Sequence, residues 1–143
     1  MQGKCVLVTG GAKSGKSVFA ETYLKTCAGR KIYVATAQAL DEEMKQKIAV
    51  HQKRRPSSWQ TVEMPYEMPT TMPQILQEAD VVLVDCLTMY FSNFLFAHEA
   101  EADSVIVEKA LQEMEQTCRC IRASDGKIVV FVTNELGCGI VPM

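Results

Sequence analysis

The chain has 143 residues, of which 48% are hydrophobic and 22% are charged. This length fits one domain of about 100–200 residues, and we expect a single domain over residues 1–143. The formal net charge of −2 lacks the basic excess of a general nucleic-acid-binding protein, so no nucleic-acid partner is expected.

The sequence contains no apolar run near the roughly 18 residues that a membrane span requires. The apolar run after Met1–Lys4 is also too short for the core of a signal peptide. We therefore expect a cytoplasmic protein. Its six cysteines have irregular spacing without a CxxC pair, which favours reduced core residues over a metal or redox site; they are Cys5, Cys27, Cys86, Cys118, Cys120 and Cys138.

The first predicted elements are a strand, a helix and a second strand. The apolar run Cys5–Val8 is bounded by glycines and predicts a parallel strand buried on both faces. A helix follows from Gly15 to about Ala28, with apolar residues at four-residue steps. These residues are Phe19, Tyr23 and Cys27. Residues 32–35 predict the second strand.

The middle of the chain predicts a second helix and then a long loop. Asp41, Glu42 and Glu43 place acidic residues where a helix dipole favours them. Met44, Ile48 and His51 would share one face of that helix. The segment from Arg54 to Pro73 holds four of the five prolines and little periodicity, which predicts mostly loop.

The last third predicts a strand, a long helix and a final strand. Residues 81–84 form an apolar run that ends at Asp85, and residues 128–132 form another that ends at Thr133-Asn134-Glu135. Between them, residues 103–122 predict an amphipathic helix. Its apolar face would pass through Val107, Leu111, Met114, Cys118 and Ile121.

The alternation of strands and helices predicts the α/β class, with a mostly parallel sheet flanked by helices. Ligands of such sheets bind beyond the carboxyl ends of the strands. Polar residues follow all four predicted strands, at Thr9, Thr36, Asp85 and Asn134. The carboxyl edge of the sheet is therefore the expected site.

The first strand leads into a phosphate-binding loop. The eight residues Gly10, Gly11, Ala12, Lys13, Ser14, Gly15, Lys16 and Ser17 match G-x-x-x-x-G-K-[ST] between a strand and a helix. Backbone N–H groups of such a loop and the helix N-terminus attract phosphate. Lys16 would reach the β- and γ-phosphates, and the Ser17 hydroxyl would bind Mg²⁺. The alternative is a glycine-rich turn with a chance lysine.

Asp85, at the end of an apolar strand, has the position of an acidic residue that orients Mg²⁺ in P-loop proteins. Its alternative role is a helix N-cap or a loop carboxylate. These motifs predict a P-loop NTPase fold, but they do not distinguish a kinase from an ATPase or a GTPase.

Several further motifs keep a fixed spacing along the chain. Together with the P-loop they are Thr9–Ser17, Ala35-Thr36-Ala37, Asp41–Met44, Ile48-x-x-His51, Arg55-Pro56-x-x-Trp59-x-Thr61-x-Glu63, Asp85–Thr88 with Asn93, and Val132-Thr133-Asn134-Glu135-x-Gly137-x-Gly139-Ile140-Val141-Pro142. In these motifs, from residue 4 to residue 142, the chain resembles the bifunctional adenosylcobinamide kinase / adenosylcobinamide-phosphate guanylyltransferase family of cobalamin synthesis.

The resemblance implies two reactions: phosphorylation of adenosylcobinamide with ATP or GTP, then transfer of GMP from GTP to the product through a guanylyl-histidine. It implies His51 and Lys16 as catalytic residues, Mg²⁺ as cofactor at Ser17 and Asp85, a corrinoid substrate and a homo-oligomer. Besides the P-loop residues, the implied nucleotide site comprises Ala35, Thr36, Ala37, Gln52, Lys53, Arg54, Arg55, Glu63 and Asp85.

Chemistry supports the histidine independently. A neutral imidazole is a good nucleophile near pH 7, and a covalent intermediate divides one difficult step into two easier ones. The neighbouring Lys53, Arg54 and Arg55 could hold phosphate charge during attack. The residues alone favour a half-buried packing role for His51 and a solvated loop for the basic run; the resemblance reverses this order.

Two alternatives remain open on the sequence. The chain could be another small-molecule P-loop kinase in which His51 only packs, or it could bind nucleotide without turnover. The family pattern implied by the resemblance continues past Pro142 with a helix and a final strand, whereas this sequence stops at Met143. We therefore expect a chain shortened at its C-terminus.

Overall fold

A parallel sheet forms the centre of the computed structural model, which describes residues 2–11, 15–38, 42, 45–46, 49–50, 53, 56 and 58–134. The five strands within these residues are β1 (Lys4–Gly10), β2 (Lys31–Ala35), β3 (Gln60–Glu63), β4 (Val81–Asp85) and β5 (Ile128–Asn134). Their order is β1-β5-β4-β2-β3, and every pairing is parallel. The predicted α/β class is therefore confirmed.

Four helices have defined bounds within the described residues: α1 (Lys16–Thr26), α2 (Met68–Glu78), α3 (Leu87–Ala97) and α4 (Asp103–Arg122). In the crossover between β2 and β3, the described residues 42, 45–46, 49–50 and 53 are helical, as the sequence predicts. None of the helices in the described residues is long and apolar enough to cross a membrane.

Each face of the sheet has its own apolar core, because successive strand residues point to opposite faces. Tyr33, Leu83 and Val130 pack with Ala20 and Leu24 of α1 on one face. The opposite face packs against α2, α3 and α4; its buried residues include Val34, Val82, Phe131, Met68, Met72, Tyr90 and Ile121. The helices thus cover both faces of β2, β4 and β5, as expected for a parallel sheet.

The prediction that the first strand is buried on both faces is wrong. In the described part of the chain, β1 pairs only with β5 and forms one edge of the sheet. Val8 is buried against the α1 side, but Leu7 on the other face is 59% exposed and Cys5 is exposed. Apolar composition alone could not distinguish an edge strand from a central one.

The predicted faces of α1 and α4 are confirmed in part, because Cys27, Met114 and Ile121 of the predicted sets pack in or against the core. The predicted face of Met44, Ile48 and His51 lies outside the described residues.

The α1 helix buries Ala20 and Leu24, whereas Phe19 is 64% exposed. The α4 helix buries Ile106, Thr117 and Ile121, and the predicted face residues Val107 and Leu111 are exposed. Neighbouring residues lie about 100° apart on a helix, so a broad apolar stripe is compatible with two overlapping buried faces. Which of these faces is buried depends on the packing of the helix against the sheet.

The proline-rich segment also differs from its prediction. The predicted loop Arg54–Pro73 includes β3 and the first half of α2. Pro69 lies in the first turn of α2, where its missing N–H has no partner to lose. The sequence pattern did not predict α3, which begins directly after Asp85-Cys86.

Candidate active site

The phosphate-binding loop connects β1 to the N-terminus of α1, as predicted. Gly15 precedes α1 with a φ of 79°, in the left-handed region that favours glycine. The N–H of Phe19 donates to the Gly15 carbonyl at 2.9 Å, which starts the helix. The first N–H groups of α1 lie next to the loop, where they can attract an anion.

Lys16 is the first residue of α1, and its ammonium reaches back to the loop. Its Nζ donates to the carbonyl oxygen of Gly11 at 3.3 Å. The ammonium thus lies next to the first residue after β1, Gly11. Ser17 follows in the same first turn.

The parallel register brings the ends of the strands to one edge. Ala35 at the end of β2 is level with Asp85 of β4 and with Glu63 of β3. Gly10, at the end of β1, is level with Asn134 of β5. The loop, the acidic residue and the β2–β3 end therefore share the carboxyl edge, where the sequence placed the site.

Asp85 is held by a tyrosine that the sequence analysis did not single out. The Tyr33 hydroxyl donates to Asp85 Oδ2 at 2.7 Å. Tyr33 is only 6% exposed and lies two residues before the end of β2, so its side chain points to the α1 face. A tyrosine among the apolar residues of a buried strand was the signal that could have revealed this pair, because a buried hydroxyl requires a partner.

Cys86 follows Asp85 directly, between β4 and α3. Burial raises the pKa of its thiol above the usual value; the Asp85 carboxylate adds to the rise, and the Lys16 charge opposes it. A single site that includes both Lys16 and Asp85 stays a prediction.

Thr36 forms a rigid junction between β2 and β4. Its Oγ1 donates to the Cys86 carbonyl at 2.7 Å and accepts from the Cys86 N–H at 2.8 Å. Its own N–H donates to the Asp85 carbonyl at 3.2 Å, and the residue is completely buried. The structure thus gives Thr36 a positioning role, while contact of Ala35, Thr36 and Ala37 with a nucleotide stays a prediction.

The remaining predicted residues divide into two groups. Glu63 and Lys53 are described and exposed. The residues Ala12, Lys13, Ser14, His51, Gln52, Arg54 and Arg55 lie outside the described residues, so their predicted roles stay predictions.

The α3 helix carries two polar residues that join three strand ends. The Thr88 Oγ1 accepts from the Asn134 N–H at 2.9 Å and lies 3.1 Å from the Thr133 Oγ1. Asn93 Nδ2 donates to the carbonyls of Thr36 and Pro65. Both residues belong to the family motifs given above. Apart from those motifs, their polar character on an apolar helix was the only sequence feature that indicated these bonds to the strand ends.

Comparison with known proteins identifies relatives over nearly the whole chain. The family model described as cobinamide kinase / cobinamide phosphate guanyltransferase matches residues 6–143. The bifunctional adenosylcobalamin biosynthesis protein CobU of Salmonella typhimurium is 38% identical over 142 residues, and CobP of Pseudomonas aeruginosa is 36% identical over 137 residues. These alignments cover 96% of this chain, 78% of the Salmonella protein and 75% of the Pseudomonas protein.

A solved structure shares the fold. A chain from the assembled ATPase EscN with its central stalk EscO, from enteropathogenic Escherichia coli, superimposes with a TM-score of 0.61 at 15% identity. The match covers 96% of this chain and 39% of that one. This match confirms the predicted fold. The family model and the sequence relatives confirm the predicted resemblance: the chain belongs to the cobinamide kinase / cobinamide phosphate guanyltransferase family, a family of transferases.

Proposed function

We propose that the chain phosphorylates adenosylcobinamide with ATP or GTP and then transfers GMP from GTP to the resulting phosphate. The observation that carries this proposal is the shared edge of the sheet, where the P-loop, Asp85 and the ends of β2 and β3 lie together in a chain of this family. One edge thus offers both a phosphate-binding loop and a neighbouring surface for a nucleotide.

In the kinase reaction, the chain's own residues bind and orient the phosphates. The P-loop N–H groups and Lys16 hold the β- and γ-phosphates of the donor, and the substrate hydroxyl attacks the γ-phosphorus. The new P–O bond forms as the bond to the β-phosphate oxygen breaks; the hydroxyl proton is released and the nucleoside diphosphate leaves. Positioning and charge neutralisation supply most of the catalysis in this class of reaction.

The described residues fit Mg²⁺ as the cofactor. Ser17 offers a hydroxyl from the first turn of α1, Asp85 offers a carboxylate at the end of β4, and α1 packs against β4. Oxygen ligands of this kind are those that Mg²⁺ prefers. When bound, the ion would neutralise phosphate charge, while Tyr33 holds one oxygen of Asp85 in place.

In the guanylyl reaction, His51 is the proposed nucleophile. Its imidazole nitrogen attacks the α-phosphorus of GTP, an N–P bond forms, and pyrophosphate leaves with the electrons of the broken P–O bond. An oxygen of adenosylcobinamide phosphate then attacks the same phosphorus, and the imidazole leaves unchanged. Lys53 to Arg55 would balance phosphate charge, and the ends of β2 and β3 would contact the guanine nucleotide.

The kinase half is tested by substituting Lys16. We expect Lys16→Ala to lower phosphoryl transfer from γ-labelled GTP to adenosylcobinamide about 100-fold or more, because a charge that stabilises the transition state is lost. Lys25→Ala is the matched control, since Lys25 is an exposed lysine in the last turn of the same helix.

Three results would contradict the proposal. Parent-like turnover by Lys16→Ala would refute the role of the P-loop lysine. Phosphorylation of other small alcohols but not of adenosylcobinamide would indicate a different P-loop kinase. Saturable GTP binding without turnover in the folded parent would indicate a nucleotide-binding protein that is not an enzyme.

A further inference from the structure

We propose that Asn93 is a positioning residue that sets the affinity of the guanine-nucleotide site by fixing the segments that follow β2 and β3 relative to each other. This inference rests on the proposed function, because it assumes that the residues after these two strands contact the nucleotide. Its evidence is a set of hydrogen bonds that are independent of the P-loop.

The amide of Asn93 links two backbone segments at the carboxyl edge. Its Nδ2 donates to the Thr36 carbonyl at 2.9 Å and to the Pro65 carbonyl at 3.3 Å. Thr36 follows β2 directly, and Pro65 lies two residues after the end of β3. One amide with two hydrogens therefore joins the segments that leave the two strands.

Hydrogen bonds join the two chain segments beyond the point where the pairing of β2 with β3 ends. The Met64 N–H donates to the Ala35 carbonyl at 2.8 Å, immediately beyond the last paired residues of β2 and β3. Asn93 then connects Thr36 to Pro65, and the Gln38 Nε2 donates to the Tyr66 hydroxyl at 2.7 Å further out. The two segments thus stay side by side beyond the sheet.

The two ends of the Asn93 link are not equivalent. Thr36 is fully buried and is bonded through its side chain to both backbone groups of Cys86, which fixes it to the end of β4. Pro65 is half-buried and lies between Met64, which is buried and bonded to Ala35, and the exposed Tyr66. Asn93 therefore connects the fixed position of Thr36 to the segment that follows Met64.

This arrangement determines the distance between the proposed nucleotide contacts. Ala35 to Ala37 lie on the β2 side, and Glu63 lies on the β3 side. Glu63 is held by its pairing with Ala35, whereas the Thr36 carbonyl that Asn93 binds leads directly to Ala37. Loss of this link would displace Ala37 relative to Glu63 without altering the P-loop, which lies across β4 and β5 from them. Loss of the Asn93 amide should accordingly weaken GTP binding for guanylyl transfer and leave the bond-forming step itself intact.

Two substitutions remove the link in different ways. Asn93→Leu keeps a similar size without donors, and Asn93→Asp keeps the shape but sets a carboxylate against two carbonyl oxygens. Ser92→Ala is the matched control, because Ser92 is exposed on the same helix and its hydroxyl donates only to the Thr88 carbonyl one turn earlier among the bonds of the described residues.

The experiment measures the steady-state KM for GTP and kcat of guanylyl transfer, together with the Kd for GTP from equilibrium binding. We expect KM and Kd to rise about tenfold for both variants of Asn93, as expected from the loss of one or two hydrogen bonds, with kcat within about threefold of the parent. Ser92→Ala should match the parent in all three constants.

A purely structural role gives a different result. Partial unfolding lowers the concentration of active enzyme and therefore kcat, but it leaves KM unchanged. Parent values of KM and Kd in either Asn93 variant, or a loss confined to kcat, would overturn the inference. A parent that binds GTP without transferring GMP would refute the proposed function instead, and the Kd of the variants would still test Asn93.

Discussion

At the scale of the residue, the backbone of Gly15 makes the phosphate-binding loop possible. Its φ of 79° is accessible to glycine at little cost, whereas an L side chain there costs about 1–2 kcal/mol. Gly126 has a φ of 77° in the turn before β5, and a Cβ at either position would meet open space. Both glycines therefore have a left-handed backbone conformation, Gly15 at the carboxyl edge of the sheet and Gly126 at the amino edge.

This pair gives the first prediction. Gly15→Ala and Gly126→Ala should each lower the free energy of unfolding by about 1 kcal/mol, measured by urea denaturation. Only Gly15→Ala should also weaken GTP binding, because only that residue shapes the loop. Equal GTP affinity in the two variants would refute the role assigned to the Gly15 conformation.

The Tyr33–Asp85 hydrogen bond gives the second prediction. Tyr33→Phe removes the 2.7 Å bond to Asp85 Oδ2 and keeps the ring in the core. We expect a loss of about 1 kcal/mol in the free energy of unfolding and a several-fold rise in the Mg²⁺ concentration at half-maximal kinase activity. An unchanged Mg²⁺ dependence in the folded variant would mean that Asp85 does not bind the ion.

At the scale of the element, Gly3 allows β1 and α4 to approach closely. A Cβ on Gly3 would lie 1.8 Å from the Ile121 carbonyl oxygen and 2.7 Å from that of Ser124. Both are backbone atoms, so the strand and the helix end would have to separate. We predict that Gly3→Ala lowers the free energy of unfolding by about 3 kcal/mol, whereas Ala at the exposed neighbour Gln2 has little effect; denaturant unfolding of both variants is the test.

Asp80 joins three elements at the amino edge of the sheet. Its carboxylate accepts from the Arg30 N–H at 2.8 Å and from Lys127 Nζ at 3.3 Å, so it connects the starts of β2, β4 and β5. These bonds, the Arg30 N–H first, lower the pKa of Asp80 below its usual value. A lowered pKa in the folded state stabilises the protein above the unfolded-state value near 4, and that stabilisation is lost as the pH falls towards the lowered pKa.

The fourth prediction follows from this sign. Asp80→Asn should lower the melting temperature at pH 7, and the difference from the parent should shrink below about pH 4 as the parent carboxylate becomes protonated. Melting curves from pH 3 to pH 7 measure this. A difference that is constant across the range would show that the carboxylate charge is not the cause.

The elements also show what the sequence could and could not reveal. The strands β2, β4 and β5 and the P-loop were predictable because long apolar runs and a motif of fixed spacing are local signals. Other features could not be predicted, because each depends on a partner distant in sequence. These are the burial of β1, the exact buried faces of α1 and α4, and the existence of α2 and α3. Pro69 and Pro73, for example, obscured a helix that Met68, Met72 and Ile75 secure through the core.

The same distinction applies to the site. Gly15, Lys16 and Asp85 were recognisable from spacing and from their positions at strand ends. The roles of Tyr33, Thr88 and Asn93 required the fold, because their partners lie 28 to 57 residues away in sequence. His51 was singled out by the family motif, since a histidine on an apolar helix face has no local feature that marks it as a nucleophile.

At the scale of the whole molecule, one edge of one sheet is proposed to serve two reactions. The β1–β5 end supplies the phosphate-binding loop, the β2–β3 end supplies the proposed nucleotide contacts, and Asp85 of β4 lies between them. The α3 helix ties both ends together through Thr88 and Asn93. The sheet order thus brings residues separated by more than 100 positions, such as Gly10 and Asn134, to the same site.

The most direct test of the two-reaction account is labelling of the protein with α-³²P-GTP and Mg²⁺. We predict an acid-labile, alkali-stable label on the parent and on His98→Ala, which substitutes the other of the two histidines, and none on His51→Ala. His51→Ala should retain phosphoryl transfer to adenosylcobinamide. Label on folded His51→Ala, or equal loss of both activities in that variant, would contradict the guanylyl-histidine and with it the account of the second reaction.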